Sequence, residues 1–245
     1  MYSYLKRFYA AAMQIIWFCR VLLFYSLLLP LTIIFALIAL LTFPFPFVVR
    51  YWIITRWSHI FIFLSKIICG LQYKIHGIEN IPKKNCIIVS NHQSMWETIF
   101  MQVLFPQQNM ILKKELLRIP FFGWGLSLLE PIALDRKNFR SVNRVLEQGF
   151  DRLKKGRFVL LFPEGTRLPY GHSGRYSRTA AALAIKSGFP ILPVAHNAGK
   201  YWPKGFFIKQ PGIIEVTIGP QVLETSGNLD VLTETIKSWI TSHIH

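Results

Sequence analysis

Apolar positions follow two regimes along this chain, and the change comes near Gly70. Before it, residues 21–49 form an uncharged run bracketed by Arg20 and Arg50. About 20 apolar residues carry a helix across a ~30 Å hydrocarbon core, so this run is long enough to span a bilayer. Pro30, Pro44 and Pro46 each interrupt the helical ladder, which predicts a kinked span or a helical hairpin dipping into one leaflet. A shorter apolar patch over 60–71 carries Lys66 and predicts an interfacial helix. A cleaved signal peptide would have an apolar region of about 7–15 residues and a small-residue cleavage site. This run is longer and ends in the bulky Phe43-Pro44-Phe45-Pro46-Phe47, so it is expected to remain as an anchor.

Beyond Gly70, short apolar runs alternate with longer amphipathic stretches. The pattern predicts strands over 73–78, 86–90, 110–113, 131–134, 157–162, 191–195 and 213–218, with helices over 138–154 and 176–187. Strand–helix alternation predicts an α/β fold, a mostly parallel central sheet flanked by helices. The expected division is an N-terminal membrane-anchoring helical region over 1–70 and an α/β domain over 71–245. The runs Cys86-Ile87-Ile88-Val89 and Phe158-Val159-Leu160-Leu161-Phe162 are almost wholly apolar, as a strand covered on both faces requires. Ligands of open α/β sheets bind beyond the carboxyl ends of the strands, so the residues after these runs are where chemistry is expected.

Charge narrows the partners. With 28 Lys and Arg against 12 Asp and Glu, the chain carries +16 at pH 7. Each surface cation gains about 1 kcal/mol near an anionic leaflet, so beside a membrane anchor the excess fits anionic lipid. Zinc-finger spacing, a basic zipper and an RNA-binding aromatic signature are all missing, which argues against nucleic acid. Lys6, Arg7 and Arg20 favour a cytoplasmic N-terminal flank. A compact chain without targeting extensions fits a bacterial cytoplasmic (inner) membrane, with the α/β domain on the cytoplasmic side. Cys19, Cys69 and Cys86 have no pairing pattern, and no His/Cys cluster has metal-ligand spacing.

The first apolar run delivers Ser90-Asn91-His92 and then a helix starting near Ser94. His92 and Glu97, five apart, would diverge by roughly 140° on one continuous helix, at about 100° per residue. They can pair if His92 lies in the strand-to-helix loop and Glu97 in the first helical turn. The carboxylate would then fix the imidazole tautomer and leave the other nitrogen free as a general base. The competing reading is a capping box over Ser94-Met95-Trp96-Glu97, with Glu97 serving only the helix start. The second run delivers Pro163-Glu164-Gly165-Thr166-Arg167, in which Gly165 permits a tight turn and Arg167 offers a planar charged fork suited to phosphate. Arg136, after Leu134-Asp135, is a further cation that can reach the same end of the sheet. Neither a P-loop nor a Gly-x-Ser-x-Gly elbow is present, so a nucleotide cradle and a serine hydrolase lack support.

Asn91-His92-Gln93-Ser94-Met95-Trp96-Glu97 and Phe162-Pro163-Glu164-Gly165-Thr166-Arg167 resemble the first and third signature blocks of the 1-acylglycerol-3-phosphate acyltransferase (lysophosphatidic acid acyltransferase) family. Ile132-Ala133-Leu134-Asp135-Arg136 is similar to its second block and Ile191-Leu192-Pro193-Val194-Ala195 to its fourth, and the segment from Lys113 to Trp124 resembles the stretch between blocks. The family usually has Asp where this chain has Glu97, one methylene longer, and often a bulkier pair where it has Ala133-Leu134.

The resemblance implies transfer of a fatty acyl group from acyl-CoA or acyl carrier protein to the sn-2 hydroxyl of 1-acylglycerol-3-phosphate, making phosphatidate. His92, oriented by Glu97, would be the base. Glu164, Gly165, Thr166 and Arg167 would hold the acceptor's glycerol phosphate, with Arg136 assisting. No metal or prosthetic group is implied; the acyl thioester is a co-substrate. Expected partners are these two substrates, a bilayer with anionic lipids, and acyl carrier protein. The alternatives are the same chemistry on glycerol-3-phosphate or another lysolipid, an inert membrane-anchored lipid-binding protein, and a membrane-bound esterase.

Overall fold

The computed structural model describes residues 2–135, 141–205, 209–223 and 227–244. Helix α1 (Tyr2–Leu41) runs unbroken for 40 residues through Pro30. Proline removes one ladder bond, and the helix continues on either side of it. The chain reverses instead at a turn closed by Thr42 N–H to Ala39 O (2.9 Å) and Phe45 N–H to Thr42 O (2.9 Å). It returns as α2 (Phe47–Ile54) and α3 (Arg56–Ile67). The N-terminal element is therefore a helical hairpin whose turn, over 42–46, contains Pro44 and Pro46.

Ala12–Leu41 and Phe47–Cys69 are each long and apolar enough to cross a membrane. Only 22% of the first stretch's most apolar window is buried within the protein, so most of its greasy surface has no protein cover. The helix expected over 60–71 starts earlier, at Arg56, and ends at Ile67 before Gly70 (φ 72°) turns the chain into a strand. One face of α3 buries Ser58, Phe61, Ile62 and Ser65, while Phe63 and Ile67 stay exposed on the other.

Seven strands follow, each within two residues of its expected bounds. They are β1 (Leu71–His76), β2 (Ile87–Ser90), β3 (Gln108–Lys113), β4 (Ile132–Leu134), β5 (Phe158–Leu161), β6 (Ile191–His196) and β7 (Gly212–Ile218). Between and after them come α4 (Trp96–Leu104), α5 (Phe122–Ser127), α6 (Ser141–Lys154), α7 (Thr179–Ser187), α8 (Ala198–Tyr201) and α9 (Leu229–Ser242). The strand order is β1-β7-β6-β2-β5-β3-β4, parallel throughout except for the β6–β7 pair. Strand β2 lies between β6 and β5, with Ile88 opposite both Leu160 and Leu192.

Side chains alternate across a strand, and the two faces of β2 feed two cores. Ile88 joins Leu160 and Leu192 under Phe24 and Leu28 of α1, Phe61 of α3 and Trp96 and Phe100 of α4. Ile87 and Val89 join Val159 and Leu161 under Leu183 of α7 and Ile236 and Ile240 of α9. The N-terminal helices thus cover one face of the sheet. A charged clasp also ties the hairpin down: the Glu130 carboxylate accepts Arg50 Nη2 (2.5 Å) and Arg157 Nη1 (2.7 Å), with Arg152 Nη2 at 3.5 Å. The Arg157 guanidinium lies 3.5 Å from the centre of the Phe47 ring of α2.

Candidate active site

Because β2, β5 and β6 run side by side and parallel, the residues after all three emerge at one end of the sheet. That topology brings together segments some 70 and 105 residues apart in the chain. His92 lies in the loop between β2 and α4, and Glu97 lies in the first turn of α4. His92 Nδ1 and Glu97 Oε1 are 2.8 Å apart. The imidazole ring stacks on Phe162, with centroids 4.4 Å apart and planes 20° from parallel. With an ionised carboxylate as partner, Nδ1 carries the hydrogen. Nε2 is then left with its lone pair and no hydrogen bond from the described residues, and the side chain is 20% exposed.

The two readings of Glu97 are not exclusive. The same oxygen that receives His92 also accepts the backbone N–H of Gln93 (2.9 Å) and of Ser94 (2.8 Å). Ser94 Oγ in turn accepts the Trp96 N–H at 3.1 Å. One buried carboxylate therefore shapes the start of α4 and orients the histidine. Burial by itself would raise the Glu97 carboxyl; the two neighbouring histidines and the Ser94 N–H outweigh it and hold the group below the ordinary carboxylate range.

The loop after β5 wraps the other side of His92. Glu164 Oε2 accepts the His92 backbone N–H at 2.9 Å, and the Leu168 N–H donates to the His92 carbonyl at 2.8 Å. Gly165 makes this return possible at φ 67°, donating to Phe162 O at 3.0 Å; an L side chain is strained there. Burial pushes the Glu164 carboxyl up to about 7, opposed chiefly by the His92 N–H. Thr166 is exposed at the turn. Arg167 is half-buried, has no acidic partner among the described residues, and lies within electrostatic reach of Tyr25 on α1. Arg136 lies outside the described residues. The structure thus gathers His92, Glu97 and the 164–167 turn at one sheet end, with Arg167 as a cation free to meet an anion.

Sequence reasoning missed the third wall. His196, at the end of β6, is fully buried, and its Nε2 lies 2.8 Å from the Asn91 carbonyl. Asn91 pairs with the His196 backbone in both directions, Nδ2 to O at 2.8 Å and Oδ1 from N at 3.0 Å. Burial lowers His196 below the usual imidazole value. Beside it, Gln93 Oε1 accepts the Gly199 N–H at 3.1 Å, and a Cβ on Gly199 would stand 2.8 Å from the Gln93 Cβ. The signal that located His92, a polar residue just past an apolar strand, applied equally to His196. Among the described residues, no group of three or more His, Cys, Asp or Glu is placed to hold a metal ion.

A family model described as Acyltransferase matches residues 72–197, which include His92, Glu97, the 164–167 turn and His196. The curated 1-acyl-sn-glycerol-3-phosphate acyltransferase of Pseudomonas aeruginosa is 46% identical over 204 residues, 82% of this chain and 79% of that protein. A chloroplastic 1-acyl-sn-glycerol-3-phosphate acyltransferase of Arabidopsis thaliana is 33% identical over 178 residues, 69% of this chain but 49% of its own length. The crystal structure of the 1-acyl-sn-glycerophosphate acyltransferase PlsC from Thermotoga maritima superposes with a TM-score of 0.77 at 25% identity, covering 91% of this chain and 92% of that one.

Proposed function

This chain belongs to the 1-acyl-sn-glycerol-3-phosphate acyltransferase family, and on that premise we propose that it acylates the sn-2 hydroxyl of 1-acylglycerol-3-phosphate to make phosphatidate. The observation that carries the proposal is the 2.8 Å contact of His92 Nδ1 with a buried Glu97, which leaves Nε2 as the acceptor nitrogen.

In this reading Nε2 takes the proton of the acceptor hydroxyl as its oxygen attacks the thioester carbonyl carbon. The C–O bond forms, the C–S bond breaks, and the imidazolium returns its proton to the departing thiolate. Glu97 stabilises the imidazolium while it lasts. Arg167 takes the acceptor phosphate in a charge-assisted fork. Thr166 and the backbone around Gly165 complete the turn that faces it, and Arg136 is a further candidate for the phosphate. Either acyl-CoA or acyl carrier protein serves as donor. The hairpin of α1–α3 holds the site at a bilayer, where both greasy substrates partition. Its uncovered apolar face and the +16 charge support a membrane rich in anionic lipid. An inner-membrane location with the domain facing the cytoplasm fits the N-terminal cations.

The test is an assay of purified protein with labelled lysophosphatidate and each acyl donor. Wild type is expected to form labelled phosphatidate, and His92→Ala to lose several orders of magnitude. Near-normal turnover in His92→Ala would end the general-base assignment. Thioester hydrolysis that ignores added lysophosphatidate would replace the transferase with an esterase.

A further inference from the structure

The peptide unit joining Asn91 to His92 is held at both ends by ionisable side chains from other parts of the chain. Its carbonyl receives His196 Nε2 at 2.8 Å, and its N–H is donated to Glu164 Oε2 at 2.9 Å. His196 Nδ1 accepts the Ala198 N–H at 3.2 Å, so the ring's single hydrogen must sit on Nε2. This is the neutral tautomer that donates to Asn91. The ring is buried to 0% side-chain exposure and its Nε2 stands 4.0 Å from Glu97 Oε1, so it backs the dyad without bonding to the carboxylate. We propose that His196 is a positioning residue: with Glu164 it clamps the 91–92 peptide plane and thereby fixes the direction in which His92 presents Nε2.

The physical case rests on what a peptide plane controls. Rotating it by a few tens of degrees swings the Cα–Cβ bond of His92, and the Nδ1 contact with Glu97 and the stack on Phe162 cannot both survive that swing. Displacements of about 1 Å at a reacting group cost about 10²-fold in rate. Among the described residues neither backbone group of this peptide has another partner, and a buried carbonyl stripped of its donor is costly. The clamp also explains why a histidine sits in a pocket that an apolar residue would fill. Its two nitrogens do different work, one accepting from Ala198 and the other donating to Asn91. The ionisable groups facing this peptide are Glu97 from α4, Glu164 and Tyr176 from the segment between β5 and α7, and His196 from β6.

The proposal rests on His92 as the base, and its test is chosen to fail separately from that reading. In His196→Gln the amide nitrogen falls near the position of Nε2 and can still donate to Asn91. In His196→Asn the shorter side chain reaches only the position of Nδ1. The measurements are kcat and KM for phosphatidate formation, and the ¹⁵N signature of the His92 tautomer in labelled full-length protein in detergent. The clamp predicts wild-type-like kcat and a pure Nδ1–H tautomer of His92 in His196→Gln. In His196→Asn it predicts a kcat loss of about 10²-fold with little change in KM, and an Nε2–H population at His92.

Equal behaviour of the two variants in both measurements would overturn it. If His196→Asn does not fold, His196→Gln decides alone: a preserved His92 tautomer supports the clamp, and a mixed one overturns it. The tautomer is read without turnover, so a failure of His92→Ala to lose activity would strike the base assignment and leave this measurement standing.

Discussion

Replacing Glu97 with glutamine removes one charge at nearly constant volume, and the structure lets its cost be worked out. Oε1 accepts three N–H groups, from the His92 ring and the backbones of Gln93 and Ser94, at 2.8–2.9 Å. The side chain is 1% exposed, so water does not substitute. A hydrogen bond to a charged group contributes about 1.5–3 kcal/mol and a neutral one about 0.5–1.5, a difference of about 1 kcal/mol each. Three such bonds give about 3 kcal/mol of lost stability. For a chain of this size that lowers Tm by roughly 6–12 °C. The transient imidazolium on His92 then faces a neutral amide, and kcat should fall by about 10²- to 10⁴-fold.

Glu97→Asp tests the departure from the family's usual residue. It withdraws the carboxylate by about 1.5 Å, one carbon–carbon bond. All three contacts then exceed hydrogen-bonding distance unless the 91–95 loop follows, so partial activity with a lowered Tm is expected. Glu97→Ala strands two buried backbone donors at about 1–3 kcal/mol each, and the partly exposed His92 ring N–H besides, and should fall furthest. Thermal melts in detergent, together with phosphatidate formation by the three variants, supply the readings. A Glu97→Gln protein with wild-type Tm and kcat would refute the triple-acceptor account.

Arg167→Ala should raise KM for lysophosphatidate by about 10- to 100-fold, equivalent to about 1.5–3 kcal/mol, with Arg167→Lys in between; an unchanged KM would move the phosphate elsewhere. Gly199→Ala places a Cβ 2.8 Å from the Gln93 Cβ and should cost about 1–3 kcal/mol in a denaturation experiment, with loss of the Gln93–Gly199 bond. Glu164 has a folded-state pKa of about 7, above its unfolded value of 4.5. Its contribution to stability is therefore full below 4.5 and declines as pH rises towards 7, and Glu164→Gln should remove that slope from Tm measured against pH. His196 acts in the opposite sense. Its folded pKa lies below 6.5, so its contribution is full above 6.5 and is lost as pH falls below it. His196→Gln should flatten the acid side of the same curve. Glu130→Ala leaves Arg50 and Arg157 without their shared, partly exposed acceptor and should cost about 1–2 kcal/mol, read as a Tm loss with kcat per folded molecule unchanged.

What the sequence determined by itself was local in origin. Apolar and alternating stretches of 4–6 residues placed seven strands to within two residues, and burial on both faces accounts for the near-continuous apolar ones such as β2 and β6. The uncharged stretch 21–49 marked a long apolar N-terminal helix, although Pro30 turned out to be a residue within α1 and the reversal fell around 42–46. His92, Glu97 and Arg167 were legible as polar residues following apolar runs, and their order matched a known family. Spacing alone left Glu97 divided between a helix cap and a catalytic partner. In the fold one Glu97 oxygen bonds both the helix-start N–H groups and the His92 ring, since a carboxylate oxygen can accept several donors at once.

Strand order was the information the sequence lacked. Nothing local says that β2 lies between β5 and β6, yet that adjacency alone puts Glu164 on the His92 N–H and His196 on the Asn91 carbonyl. Hydrogen bonds that close over some 70 and 105 residues leave no periodic trace in the chain. Neighbours in sequence supplied the reactive groups, and packing in space supplied the constraints that hold them.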